Sequence, residues 1–341
     1  MALGKKIKVL VVDDSIFFRE ILARGIASDP GIEVVGKAVD PFDARDKILE
    51  LYPEVMICDV QMPKMNGIEF IRKLLPQYSL PVIVVSTVSE AVFDAMDAGA
   101  VDFVAKPEAQ SPQNIEDFLN DLIAKIKIAA AAKVNRGVTS NTGRLAVPGS
   151  LNTERIIAIG SSTGGTEALY NILRQLPPSV PGIVIVQHIP PLFSRMFAER
   201  LDKQTLLKVK EAQNGDFLEP GSVLIAPGDR HMRIRRLGDR YKAEIFFEEK
   251  VNGHCPSVDV LFESVAKQAG GNSIGIILTG MGYDGAKGLL SMRRKGARTI
   301  GQDEQSSVVY GMPKAAYEIG AVERQAALDS IPQILLSMLS K

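Results

Sequence analysis

Short β-branched runs alternate with longer stretches of helical period along almost the whole chain. Residues 7–12 read as a buried strand. Residues 15–27 then place Phe18, Ile21, Leu22 and Ile26 on one helical face, with Ser15 as the N-cap. Further strands are predicted at 33–39, 55–58, 82–85 and 103–105, and helices at 44–51, 68–75, 88–97 and 113–128. Five strands alternating with five helices predict a doubly wound (βα)5 parallel sheet.

The pattern breaks over residues 129–152. Four alanines open this stretch, and Gly, Ser, Thr, Asn and Pro dominate the rest, which is linker composition. The alternation resumes with strands at 156–159, 183–186, 223–226, 274–278 and 299–300, and helices at 167–176, 192–201, 258–267, 286–295 and 314–319. A charged stretch, 233–250, predicts an antiparallel hairpin around Gly238 and Asp239. The expected organisation is an N-terminal domain over 1–128, a linker over 129–152, and a second α/β domain over 153–341 with a mainly parallel sheet and a β-hairpin. At 341 residues the chain is long enough for two separate cores.

Composition narrows the function classes. Forty basic and forty acidic residues cancel, so no global field favours nucleic acid or a membrane surface. The apolar runs are strand-sized, well short of the ~18 residues of a membrane helix. There is no secretory h-region, and two cysteines make no disulfide framework, so a cytoplasmic protein is expected.

In an open parallel sheet, ligands gather beyond the carboxyl ends of the strands. Asp13 and Asp14 follow the first strand, Asp59 the third, Ser86 the fourth and Lys106 the fifth. Carboxylates crowded at one edge repel, and a hard divalent cation with oxygen ligands relieves that repulsion; Mg²⁺ suits because it also engages phosphate oxygens. Asp59, being central, is the natural phosphoryl acceptor, and Lys106 can pair with the added charge.

The second half holds different chemistry. Gly160-Ser161-Ser162-Thr163-Gly164 has the Gly-x-Ser-x-Gly spacing of a nucleophile elbow, between an apolar strand and a helical stretch. The spacing selects Ser162, with the Ser161 hydroxyl adjacent, and a glycine-rich phosphate-binding turn is the other reading. A serine nucleophile needs a base. Of the three histidines, His188 sits at a strand end, whereas His231 and His254 read as structural. Asp284, in the glycine-rich loop after the 274–278 strand, would orient the base or, more simply, cap a helix. His254-Cys255 lacks the second clustered pair that zinc would need, so no cofactor is expected for the hydrolytic step.

Residues 11–15 (Val-Val-Asp-Asp-Ser), residues 59–67 (Asp-Val-Gln-Met-Pro-Lys-Met-Asn-Gly), Ser86, Phe103 and Lys106-Pro107 resemble the receiver domain of two-component response regulators. That resemblance implies phosphorylation at Asp59, Mg²⁺ held by Asp14, Asp59 and the Gln61 carbonyl with Asp13 beside them, and rearrangement of Ser86 and Phe103. Residues 162–168, Gln187-His188, 256–262, 280–286 and 310–315 resemble the chemotaxis protein-glutamate methylesterases, the CheB family. This second resemblance implies hydrolysis of glutamyl methyl esters on methyl-accepting chemoreceptors, with glutamine deamidation, and a chemotaxis histidine kinase as phosphodonor. It implies Ser162 as nucleophile, His188 as base, Asp284 as orienter, and an oxyanion hole of backbone N–H groups at Thr163 and Met281. Two departures are Ser161, where alanine is frequent, and Tyr283, where asparagine is common. The competing readings are a receiver-regulated DNA-binding output, which needs a helix-turn-helix with a basic face, and a nucleotide-binding output, which needs the missing Lys-Ser/Thr of a P-loop.

Overall fold

The structure is a computed structural model and describes residues 5–87, 89–107, 112–132 and 150–340. The chain divides into two compact units, Met1–Val138 and Thr139–Lys341.

The first unit runs β1 (Ile7–Val12), α1 (Ile16–Ile26), β2 (Ile32–Ala38), α2 (Pro41–Leu51), β3 (Val55–Asp59), α3 (Gly67–Leu74), β4 (Val82–Ser86), α4 (Ser89–Asp97), β5 (Asp102–Ala105) and α5 (Pro112–Ala130). The strands pair in parallel in the order β2-β1-β3-β4-β5. Every residue of β3 and β4 is buried, as a sheet covered by helices on both faces requires. Ser15 caps α1 by accepting the Phe18 N–H at 3.3 Å. Helix α2 begins at Pro41, earlier than the periodicity suggests, because Asp40 accepts the N–H groups of Phe42 and Asp43 ahead of the first apolar repeat. Helix α5 runs on to Ala130, two residues into the expected linker, and residues 133–149 of that linker lie outside the described residues.

The second unit continues with β6 (Ile156–Ser161), α6 (Gly165–Leu173), β7 (Gly182–Gln187), α7 (Pro191–Gln204), β8 (Lys208–Glu211), β9 (Phe217–Leu218), β10 (Ser222–Ile225), β11 (His231–Leu237), β12 (Arg240–Phe246), α8 (Val258–Gln268), β13 (Ser273–Ile277), α9 (Ala286–Arg294), β14 (Arg298–Gln302), α10 (Met312–Glu318), β15 (Arg324–Ala326) and α11 (Ile331–Leu339). Seven strands form one parallel sheet in the order β15-β14-β13-β6-β7-β10-β8. The expected hairpin is β11–β12, which joins β9 in a separate antiparallel sheet and ends at Phe246 rather than at residue 250. Helix α8 buries Val258, Leu261, Phe262 and Val265, an i, i+3, i+4, i+7 stripe. Fully burying side chains of this size stabilises by about 1.5–3 kcal/mol each. Strands β6, β7 and β13 are adjacent at the centre of the sheet, so the loops after them open on one edge. A parallel sheet fills the place where a DNA-binding output would need a helix-turn-helix.

Candidate active site

The register of β6 against β7 pairs Ser161 with Gln187, so the next residues, Ser162 and His188, leave the sheet side by side. Parallel neighbours lie ~4.8 Å apart, within reach of side-chain chemistry. The Ser161 side chain turns inward: it is fully buried and its hydroxyl donates to Gln187 Oε1 at 2.6 Å. The Gln187 amide in turn donates to the carbonyls of Ser162 and His188, at 2.9 and 3.1 Å. Backbone bonds hold Ser162 from both sides, its N–H donating to Thr279 O at 3.0 Å and its carbonyl accepting the Gly165 N–H at 2.7 Å. Glycine is required at 165, because a Cβ there would lie 2.2 Å from Gln187 Oε1.

His188 and Asp284 meet across this edge, with His188 Nε2 2.9 Å from Asp284 Oδ2. Among the described residues, His188 Nδ1 is buried without a hydrogen-bond partner. Ser162 Oγ likewise makes no hydrogen bond among the described residues, so the Ser162 and His188 side chains leave neighbouring strand ends with no bond between them. Such bonds often tighten only once substrate is bound.

Asp284 is more heavily bound than an orienting carboxylate needs to be. Its oxygens accept from Asn252 Nδ2 at 2.8 Å, from Ser257 Oγ at 2.7 Å and from the Val258 N–H at 2.7 Å. Burial alone would raise its pKa, but the hydrogen bonds from His188, Asn252 and Ser257 outweigh that and hold the carboxyl well below the usual range. It does cap a helix, although not the one that follows it in sequence. Gly285 stands at the N-cap of α9, while Asp284 receives the first N–H groups of α8. The arrangement is reciprocal: Asp259, in the first turn of α8, accepts the Gly288 N–H of α9 at 2.6 Å.

The loop after β13 is tied to the segment that starts at Val309, which follows no apolar strand. Thr279 Oγ1 accepts the Val309 N–H at 2.9 Å and lies 3.0 Å from the Thr163 carbonyl, to which it donates. Gly280 O accepts the Met312 N–H at 2.7 Å. Met281 is 42% exposed, and its N–H finds no protein acceptor among the described residues.

The other two histidines differ from each other. His231 is buried and built in: Nε2 lies 3.1 Å from the Glu249 carbonyl, and Nδ1 accepts the Ser257 N–H at 3.2 Å. That pair of partners fixes one neutral tautomer. His254 instead stacks on His188. Burial and the neighbouring His188 lower its pKa to about 4. The unfolded chain takes up a proton as pH falls below about 6.5, and the folded chain does not do so until pH about 4, so this residue withdraws stability as pH falls through that window. The urea midpoint of the second unit should drop less between pH 7 and pH 5 in His254→Phe than in the wild type. Equal drops would refute this.

In the first unit, carboxylate oxygens of Asp13, Asp14 and Asp59 lie within 4.8 Å of one another. Lys106 Nζ reaches Asp59 at 2.7 Å and Asp13 at 3.0 Å. Burial raises the Asp59 pKa, and together with Asp13 it outweighs the pull of Lys106. The Gln61 N–H lies on Asp59 Oδ1 at 3.3 Å. Ser86 and Phe103 are both buried, with the Phe103 ring 6.4 Å from that of Phe93. The hard oxygen donors and their mutual repulsion fit a small divalent cation.

Comparison with known proteins agrees in both units. Residues 157–335 match the CheB methylesterase family and residues 9–118 the response regulator receiver domain. The chain is 55% identical over 339 residues to protein-glutamate methylesterase/protein-glutamine glutaminase 2 of Syntrophomonas wolfei, covering 99% of both chains. It is 49% identical over 351 residues to a protein of the same description from Syntrophotalea carbinolica, again covering 99% of each. The crystal structure of the Thermotoga maritima CheB methylesterase catalytic domain matches with a TM-score of 0.53 and 38% identity, over 54% of this chain and 98% of that one. The chain belongs to the CheB methylesterase family, with an N-terminal response regulator receiver domain.

Proposed function

We propose that this protein hydrolyses glutamyl methyl esters on the cytoplasmic helices of methyl-accepting chemoreceptors, and that phosphorylation of Asp59 by a chemotaxis histidine kinase controls the rate. The observation that carries the hydrolytic reading is the His188–Asp284 pair, whose remaining ring nitrogen has no partner beside the Ser162 turn.

Ser162 Oγ attacks the ester carbonyl carbon while His188 Nδ1 takes its proton. The tetrahedral oxyanion sits against the backbone N–H groups of Thr163 and Met281, and the acceptor-free Met281 N–H suits that task. The C–O bond to the methoxy group breaks, His188 returns the proton, and methanol leaves. Water then adds to the acyl-enzyme, giving one proton to His188, which passes it to Ser162 Oγ as the glutamate carboxyl is released. Glutamine follows the same course with ammonia as leaving group, which accounts for a deamidase activity. Asp284 stays ionised throughout and holds the imidazolium.

In the receiver, Asp59 takes the phosphoryl group and Lys106 pairs with its charge. Asp13, Asp14, Asp59 and the Gln61 carbonyl would hold Mg²⁺, which when bound neutralises phosphoryl oxygens. Ser86 and Phe103 change position as the group arrives. No helix among the described residues is long and apolar enough to cross a membrane, and we place the enzyme in the cytoplasm, acting on receptors from outside the bilayer. The residues proposed as domain boundaries are 128 and 153.

Methanol release from methylated receptor membranes, with and without a small-molecule phosphodonor, tests both parts. Asp59→Asn should retain basal release and lose the stimulation. Stimulation equal to the wild type would remove Asp59 from its role.

A further inference from the structure

Both members of the base–acid pair are touched by one tight turn. Val251 and His254 close it with two backbone bonds, Val251 N–H to His254 O at 3.0 Å and His254 N–H to Val251 O at 2.9 Å. Asn252 and Gly253 form its corner with φ of 53° and 83°. Asn-Gly is the pair that a two-residue type I′ hairpin favours. Two side chains enter the site from this turn. The His254 ring lies flat on the His188 ring, with centroids 3.7 Å apart and planes 10° apart. The Asn252 amide donates to Asp284 Oδ1 and to Asp259 Oδ2, at 2.8 Å each.

We propose that the Val251–His254 turn is the positioning element of the catalytic pair, with His254 fixing the plane of the His188 imidazole and Asn252 fixing the Asp284 carboxylate. The inference rests on the assignment of His188 as base. Its physical basis is a shortage of other restraints. The His188 ring has one side-chain hydrogen bond, through Nε2, and a single bond of this kind leaves the ring free to tilt about it. A parallel ring in face contact removes that freedom and keeps Nδ1 directed at the serine turn. The face it presents is also suited to the imidazolium formed during attack, because a neutral aromatic face attracts a cation. His254 meets that condition at neutral pH: burial, His188 and Lys250 disfavour its charged form, and Asp284 opposes them without prevailing. Asn252 performs the matching task on the acid. Shared between Asp284 and Asp259, its two N–H groups set the rotation of one carboxylate and separate it from the other.

The test uses the full chain on methylated receptor membranes, with kcat, KM and the pH profile of kcat/KM measured for three variants. The ring resonances of His188 are titrated by NMR in parallel, which three histidines make tractable. His254→Ala should lower kcat roughly tenfold with KM little changed, as expected of a small misalignment of the base, and should move the His188 titration. His254→Phe, which restores a flat ring without a titrating nitrogen, should recover most of the rate and the wild-type His188 titration. Asn252→Gly suits the positive φ but deletes the amide, and should also lower kcat with KM unchanged. Wild-type kcat and an unmoved His188 titration in His254→Ala would overturn the proposal, as would a phenylalanine variant as impaired as the alanine one. Failure of the underlying assignment would look different: His188→Ala would then release methanol at the wild-type rate.

Discussion

Ser162→Ala is expected to reduce methanol release by about 10⁴-fold or more, the scale on which loss of a serine nucleophile leaves only binding and oxyanion stabilisation. Ser161→Ala is expected to cost less than about tenfold, on the scale of a lost buried hydrogen bond. The two hydroxyls are adjacent in sequence and chemically identical, so the contrast isolates geometry. Ser161 lies within β6, its side chain is fully buried, and its proton is committed to Gln187 Oε1 at 2.6 Å. Removing it loosens one support of the turn, because Gln187 also holds the carbonyls of Ser162 and His188. Ser162 Oγ has no such commitment and stands beside a histidine with a free acceptor nitrogen. Methanol release from both variants, with circular dichroism to show that each is folded, decides the matter. An active Ser162→Ala with an inactive Ser161→Ala would reverse the assignment.

The parts of this site that the sequence displays are those at strand ends. A parallel sheet converts a one-dimensional rule, polar residues immediately after an apolar run, into a three-dimensional cluster, and His188 and Asp284 do lie in contact from loops 96 residues apart. The same rule gathers Asp13, Asp14, Asp59 and Lys106 at the edge of the first sheet. The turn bearing Asn252 and His254 follows no apolar strand. It belongs to the stretch after β12, and its approach to the pair is decided by how α8 packs on α9, which no local pattern encodes. A lone histidine beside a cysteine carries little information; the Asn-Gly corner before it and the Ser-Val-Asp run after it were the available signals, and they speak of turns and caps rather than chemistry. The elements missed in the fold have a related cause. Strands β8 and β15 are sheet edges, and in β8 Lys-Val-Lys-Glu buries only Val209, so neither offers an apolar run to detect. Helix α11 reads as nearly uniform apolar sequence, without the polar face that periodicity analysis needs.

Asp284→Asn should lose activity by about 10⁴-fold, as expected when the orienting carboxylate of a triad becomes an amide. In this protein it should also lower stability by about 3 kcal/mol, the scale of hydrogen bonds lost around a buried charged group. The second effect separates this site from one in which the acid serves the histidine alone. Oδ2 accepts from His188 Nε2 and the Val258 N–H, and Oδ1 from Asn252 and Ser257. Every donor around the carboxylate therefore has an oxygen to receive it. Whichever way an asparagine amide is turned, its NH2 group faces donors, so one side of the network is broken and the N-terminus of α8 loses part of its cap. The folded carboxyl titrates below the unfolded one, so its contribution is fully present above the unfolded pKa of about 3.9 and is lost as pH falls toward the folded value. The gap in urea midpoint between wild type and Asp284→Asn should therefore be constant from pH 7 down to about 5 and narrow below about 4. A variant that loses the activity but keeps wild-type stability at pH 7 would show that Asp284 orients the base without holding α8, and that the reciprocal cap between α8 and α9 rests on Asp259 alone.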